Sequence, residues 1–375
     1  MTNNPEIKIA YFGSYNPFYT RVRTTLKGLR KNNIEVIECL SSSSFRLWRL
    51  ISLFFKYLKI AGGVDVLMVS EAGQTYVPLA KILSVITNKP LLFDAFLSYY
   101  HVRVKDEKAV LKNSLKGKYF YYLDKLSCQM ADLVILDTQE HIEYFCKTFN
   151  LLKGKFRWLP VGSDDELFYP RINGKVQKKK YFLVFLVSSF YPLHGVEYVV
   201  EAAKLLEKNK DIKFLIVGNG PTKKNIEKLV KTLNIKNIKL KESVLPPQLA
   251  ELMSIADICL GQFGATSQSQ MVIPAKVYDA IAMAKPVITG ESNSIKKVFT
   301  DKENIILCPM ANPKALAESI IALKENLRLR QKISANGYRL FCDNFSLSKI
   351  GEKLKNIIEE LIKSKQWHQS QKNTA

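Results

Sequence analysis

Short apolar runs alternate with longer segments in which apolar positions recur every three or four residues, and the alternation runs through most of the chain. Residues 8–12, 35–39, 64–70, 91–93 and 133–136 have strand length and composition. Stretches of helical period, among them 21–30, 77–84 and 118–130, separate them. Continuously apolar strands bounded by helices predict a parallel sheet covered on both faces. At 170–180 (PRINGKVQKKK) large apolar groups give way to polar and basic ones, which predicts a linker over 171–180. The alternation then restarts, with strands at 181–187, 213–217, 238–240, 257–260, 286–289 and 305–307. Helices fall at 196–206, 225–233, 247–253, 276–284 and 313–323. The chain thus reads as α/β, with one domain over 1–170 and a second over 181–345. A closing helix over 346–366 is expected to pack back on the first domain. The polar end, from Lys363 and above all over 367–375, reads as a disordered tail. Ligands of open parallel sheets sit beyond the carboxyl ends of the strands, so two such domains in tandem predict a central cleft as the site.

Composition narrows the partners. With 375 residues, 47% hydrophobic and 24% charged, the chain has the makings of two ordinary cores. The six cysteines are scattered, with no CxxC pair and no histidines beside them, so neither a zinc site nor a disulfide framework is expected, and a reducing, cytoplasmic setting is. Residues 1–9 are polar and charged, unlike a signal peptide. No apolar stretch reaches the ~20 residues that span a bilayer. The net charge of +22 calls for an anionic partner: nucleic acid, phosphorylated substrate or an anionic membrane surface. No zinc-finger, RNA-recognition or basic-zipper motif is present, so nucleic acid is not expected.

Several motifs offer chemistry beside a plainer reading. Gly218 and Gly220 follow a strand and precede a helix, as a turn that approaches a phosphate does, or simply as a turn. Val272, Ile273, Pro274, Ala275 and Lys276 open another helix, where exposed amides and an ammonium suit a diphosphate; a solvated lysine is the alternative. Asp279, one turn later, suits a ribose diol or is a surface acid. His194 opens the helix after 181–187, either donating to a phosphate oxygen or packing at a helix start. Gly13 and Tyr15 close the first strand. Residues 46–60 (RLWRLISLFFKYLKI) put Arg46, Arg49, Lys56 and Lys59 on one side of a helix and apolar groups on the rest. Such a helix lies on an anionic membrane or is a surface helix whose broad apolar face is core. The basic run Arg103, Lys105, Lys108, Lys112, Lys116, Lys118 in the same domain adds weight to the membrane.

In this order the segments resemble glycosyltransferase family 4, the large retaining GT-B group, over nearly the whole chain. Residues 12–40 look like its opening strand, glycine turn, helix and second strand. Residues 73–83 and 90–100 are similar to first-domain blocks of a bacterial and archaeal branch, and 131–170 to the exit from the first domain. The most specific block, 272–291 (VIPAKVYDAIAMAKPVITGE), resembles the donor-binding helix and following strand, with a VIP-x-K motif. The resemblance implies a GT-B fold of two tandem Rossmann-like domains facing a central cleft. It also implies a nucleotide-sugar donor, a glycan or lipid-linked acceptor, retention of configuration, and neither cofactor nor metal. It puts Val272, Ile273, Pro274, Gly218 and Gly220 around the donor, Lys276 and His194 at the phosphates, Asp279 at the ribose and Gly13 facing the diphosphate. Tyr15 and Asp94 fall on the acceptor side of the first domain, Phe93 and Asp94 standing near where much of the family has a histidine. Departures are Ser189 for a usual Arg, His194 for a Lys, Ala275 for a polar residue, and Met271 for the first acid of the two-glutamate motif; the branch commonly carries the Ser and the His. A catalytically inactive GT-B subunit and a GT-B nucleotide-sugar epimerase are the rival readings.

Overall fold

The computed structural model describes residues 7–171 and 180–373. Two compact units emerge, one of Met1–Val161 with Leu347–Ala375 and one of Gly162–Ser346. The first holds β1 (Ile7–Gly13), α1 (Thr20–Lys31), β2 (Ile34–Leu40), α2 (Arg46–Ile60), β3 (Val66–Val69), α3 (Val77–Thr87), β4 (Leu91–Asp94), α4 (Leu115–Met130), β5 (Leu133–Leu136), α5 (Gln139–Phe149) and β6 (Phe156–Trp158). The second holds β7 (Phe182–Ser188), α6 (Val196–Leu205), β8 (Ile212–Gly218), α7 (Lys223–Thr232), β9 (Ile238–Lys241), α8 (Pro246–Ser254) and β10 (Ile258–Leu260). It continues with α9 (Ala275–Ala282), β11 (Val287–Gly290), α10 (Asn293–Lys296), β12 (Ile306–Cys308), α11 (Pro313–Glu325) and α12 (Leu327–Asn344). The last helix, α13 (Leu347–Asn373), returns to the first unit.

Each unit is built on a six-stranded parallel sheet, ordered β2-β1-β3-β4-β5-β6 in the first and β12-β11-β10-β7-β8-β9 in the second. Strand alternation feeds two cores at once. Ile7, Ile9 and Tyr11 of β1 pack with Val22, Leu26 and Leu29 of α1 and Ile350, Leu354 and Ile358 of α13. Ala10 and Phe12 pack on the opposite face with Leu53, Tyr57, Leu83 and Phe145. Helix starts follow local chemistry: Ser114, Thr138, Asn312 and Asn326 each accept a first-turn amide.

The join of α1 to α13 depends on two residues without side chains. A Cβ on Gly351 would run into the carbonyl of Gly28, and one on Gly28 into the backbone of Leu347 and Gly351. Asn32 Nδ2 locks the crossing by donating to Gly28 O (2.9 Å) and Ser348 O (3.0 Å). Gly351→Val should therefore lower stability by about 1–3 kcal/mol, the usual cost of overpacking, and expose α13 to limited proteolysis; an unchanged urea midpoint would refute this crossing.

Two expectations are corrected. The first unit ends at Val161 rather than at 170, because 162–171 packs with the second unit: Ser163 N–H donates to Phe345 O at 3.1 Å. The segment from Lys363 is helical as far as Asn373 instead of disordered. It contains neither Gly nor Pro, and extending an existing helix is far easier than nucleating one. The expected linker at 171–180 lies, but for its two ends, outside the described residues.

Candidate functional site

In the second unit the strand order reverses between β7 and β10, and in open parallel sheets ligands sit beyond the carboxyl ends of the strands at such a reversal. The β8 connection is held against that of β7. Gly218 (φ 143°) and Gly220 (φ 154°) lie in backbone regions that side chains rarely adopt, and a Cβ on either would strike the carbonyl of Ser188 or Ser189. The 192–195 turn abuts the β10 connection, with Phe263 N–H donating to His194 O at 3.0 Å and Gly264 N–H to Leu193 O at 3.2 Å.

His194 and Lys276 are both buried at this end. The Lys276 ammonium has no hydrogen-bond partner among the described residues, and burial pulls it down to about 7. Burial, and then the charge of Lys276, hold His194 well below its ordinary value, so its imidazole is neutral at physiological pH. Ser188 Oγ accepts from Phe190 N–H (3.0 Å) and lies 2.9 Å from His194 Nδ1. A hydroxyl proton on that second contact makes Nδ1 the acceptor and leaves Nε2 as an N–H donor.

Pro274 stands at the N-cap of α9 with no side chain capping the helix, and Val277 N–H donates to Pro274 O at 2.9 Å, so the Ala275 and Lys276 amides remain available to an anion. Gln262 braces the approach to this turn, its Nε2 donating to Ser269 O (3.0 Å) and Val272 O (3.2 Å), while Ile273 is buried beneath. Asp279 is buried, not a surface acid, and its Oδ1 accepts the Ser163 hydroxyl at 2.6 Å.

The first unit has its own strand reversal, between β1 and β3. Gly13 ends β1 there, beside Ser70, whose buried hydroxyl has no partner among the described residues. Glu71 follows; burial first, then the charge of Asp94, raises its carboxyl to about 8. Tyr15 donates to Glu38 Oε2 at 2.8 Å and meets Tyr11 edge to face. Asp94, expected on the acceptor side, is instead fully buried. It accepts Arg21 Nε (2.8 Å) and NH2 (3.1 Å), and a solvent-facing role is closed to it.

α2 departs from the reading in which its broad apolar face is core. Its core contact is a narrow seam, with Leu53 and Tyr57 buried and Leu47, Trp48, Ile51, Phe55 and Leu58 facing solvent. One of its four basic groups turns inward, Arg49, which donates to Ser43 O and Tyr76 OH. Arg46, Lys56 and Lys59 stay exposed, Lys56 donating to Leu40 O at the surface. The broad apolar face is therefore not core. The seam is narrow because α2 lies along the edge of the helical layer, over β1 and β2.

The structure thus gathers His194, Lys276, Gly218, Gly220, Val272, Ile273, Pro274 and Asp279 at one end of the second unit, and Gly13, Tyr15 and Asp94 in the first. Sequence reading overlooked Ser188, Gln262, Ser163 and Glu71. Two of these had a positional signal: Glu71 follows β3 closely and Gln262 follows β10, where parallel sheets carry ligand-facing groups. Among the described residues no three His, Cys, Asp or Glu side chains gather into a metal-binding group.

Residues 169–340 match the family of glycosyl transferases group 1. An uncharacterized glycosyltransferase of Methanocaldococcus jannaschii is 26% identical over 259 residues, 67% of this chain and 65% of that one, so the match spans just under two thirds of the relative's length. The capsular polysaccharide biosynthesis glycosyltransferase CapM of Staphylococcus aureus is 23% identical over 286 residues, 72% and 73% of the two chains. Among solved structures, Anabaena HepE in complex with UDP-glucose superposes with a TM-score of 0.73 at 14% identity, covering 95% of this chain and all of that one. That likeness shows the fold: two Rossmann-like domains of the GT-B type.

Proposed function

We propose that the protein is a nucleotide-sugar-dependent glycosyltransferase whose second unit grips the donor pyrophosphate. The observation that carries this reading is Lys276. A buried ammonium without a partner is costly, and it stands beside a neutral His194 and the open amides of α9, the set of groups an oxygen-rich anion satisfies. In transfer the bond between the anomeric carbon and the donor phosphate breaks and a bond to an acceptor hydroxyl forms. The hydroxyl proton passes to a leaving phosphate oxygen. Lys276, the His194 Nε2–H and the first amides of α9 offset the negative charge that grows on that phosphate. Asp279, steadied by Ser163, is the group for the ribose. Retention of configuration, no metal and no cofactor complete the reading, as the resemblance to family 4 implies.

The acceptor we propose is a glycan or lipid-linked saccharide of surface polysaccharide or glycoconjugate synthesis, made in the cytoplasm. The match to a capsular polysaccharide glycosyltransferase supports it. Met271 in place of an acid favours a second reading, an inactive GT-B subunit.

A thermal-shift screen over nucleoside diphosphates and their sugars separates the two outcomes. A donor should raise the melting temperature by RT ln(1 + [L]/Kd), about 2.7 kcal/mol of stabilisation at a hundredfold excess over Kd, and should be turned over to free nucleoside diphosphate. Binding without turnover, in the presence of acceptor extracts, supports the inactive subunit. No response to any sugar nucleotide removes the assignment.

A further inference from the structure

From the helical layer of the first unit we infer a second functional surface: the outward face of α2, α3 and α4 seats the protein on an anionic lipid bilayer. This goes beyond the transferase reading and does not rest on it, since a chain that binds no sugar nucleotide would still carry the surface.

The three helices pack side by side, α2 on α3 and α3 on α4, a width of roughly 20 Å at usual interhelical distances. Each shows solvent an apolar stripe at helical spacing. On α2 the stripe is that already described, with Trp48 64% exposed. On α3 it is Ile82, Val85 and Ile86, with Val85 67% exposed. On α4 it is Leu115, Tyr119, Tyr122 and Leu126, with Leu115 88% exposed.

The rest of the protein provides the contrast. On the opposite layer, α1 and α13, the one large apolar side chain exposed among those described is Trp367. In the second unit such residues stand singly, as at Leu205, Leu245 and Leu327. Scattered apolar groups are ordinary; three adjacent stripes mark a docking face.

Charge decides the occupant. α2 carries four basic residues, α3 one and α4 three. The only acidic residue in the three helices is Asp124, which is buried and accepts from the Ser98 hydroxyl and the Tyr99 and Tyr100 amides. Exposed Arg46 and Lys59 on α2 and Lys116 and Lys118 on α4 flank the stripes, with Lys108 and Lys112 just before α4. Protein interfaces tend to exclude lysine. Anionic headgroups attract it while tryptophan, tyrosine and aliphatic side chains enter the acyl boundary. Among the described residues no helix is long and apolar enough to cross a membrane, so contact through this face lies along the surface.

The test is flotation of the full-length protein with vesicles of equimolar phosphatidylcholine and phosphatidylglycerol, and with phosphatidylcholine alone. The protein should float with the mixed vesicles and much less with the neutral ones. Trp48→Ser, Val85→Ser and Leu115→Ser together should weaken binding at least about tenfold, and Lys59→Glu with Lys116→Glu and Lys118→Glu should abolish the preference for the anionic lipid. All six positions are exposed, and unchanged melting temperatures would show that the variants fold. No flotation of the wild-type chain, undiminished flotation of the serine variant, or a wild-type dimer that the serine substitutions convert to monomer would each overturn the inference.

Discussion

Lys276→Met should stabilise the unliganded protein and abolish its response to nucleoside diphosphates. The side chain is buried without a partner for its ammonium, and an unsatisfied buried donor costs about 1–3 kcal/mol, more when it is charged, a penalty that an apolar side chain of similar volume removes. The sign with pH follows from linkage. Burial takes the group from 10.5 down to about 7. Between those values the unfolded chain holds a proton that the native one lacks, so the native state gains stability as pH rises. Below 7 the full penalty of a buried cation applies, and above 10.5 it has vanished. The variant's advantage in melting temperature should therefore be largest under mildly acidic conditions and fade towards high pH.

Donor binding should show the opposite dependence. A pyrophosphate favours the ammonium form, so binding near and above pH 7 takes up a proton and weakens as pH rises. Calorimetry in buffers of different ionisation enthalpy reads that uptake directly. Loss of one preorganised group at a developing phosphate charge is worth about 10²–10³ in rate, and transferase activity of the variant should fall by that much. A variant that is less stable than the wild type, or that still binds UDP-sugars and their relatives, would remove Lys276 from the donor site.

Arg21→Met should cost the first unit roughly 3–5 kcal/mol, the usual penalty for leaving one half of a buried pair. Arg21 lies on α1 with 1% of its side chain exposed and makes four hydrogen bonds. Two are to Asp94, and NH1 makes the others to Leu159 O (2.8 Å) and Pro160 O (3.0 Å). One side chain thus ties the first helix, the end of β4 and the chain leaving β6. Without it Asp94 is a buried carboxylate with the charge of Asp137 nearby, and Glu71 loses the cation that moderates its upward shift. Asp94→Leu in the same background should recover much of the loss, because the pair then disappears as a unit. If the double variant is as unstable as Arg21→Met alone, the damage lies in the two lost carbonyl contacts instead. Urea midpoints of the two single variants and the double one separate these outcomes.

How far the sequence carried the fold depends on burial on both sides. β1, β7 and β8 are apolar at nearly every position because helices cover each face of the sheet, and such strands are visible in a single sequence. β6 (Phe156–Trp158) is a three-residue edge strand, half-buried, with Arg157 at its centre, and nothing in its composition sets it apart. α12 escaped notice because few of its eighteen residues, Ile333, Gly337 and Phe341, are buried. The candidate site was legible in part for the same reason: Gly218 and Gly220 announce a turn wherever they occur, and Pro274 marks a helix start.

The sequence by itself determined the repeated strand–helix plan, the restart of that plan near residue 181, the excess of positive charge and the positions of the glycine turns. Each of these is local, set by the period of apolar residues or by backbone freedom at one position. Tertiary structure alone decided that Lys276 is buried rather than solvated, that Asp94 is consumed by Arg21, that Asp279 is held by Ser163, and that α2 turns its apolar side outward. A helical wheel gives the faces of a helix but not what covers them, and the ionisation of a side chain depends on neighbours that the chain brings in from 73 or 116 residues away.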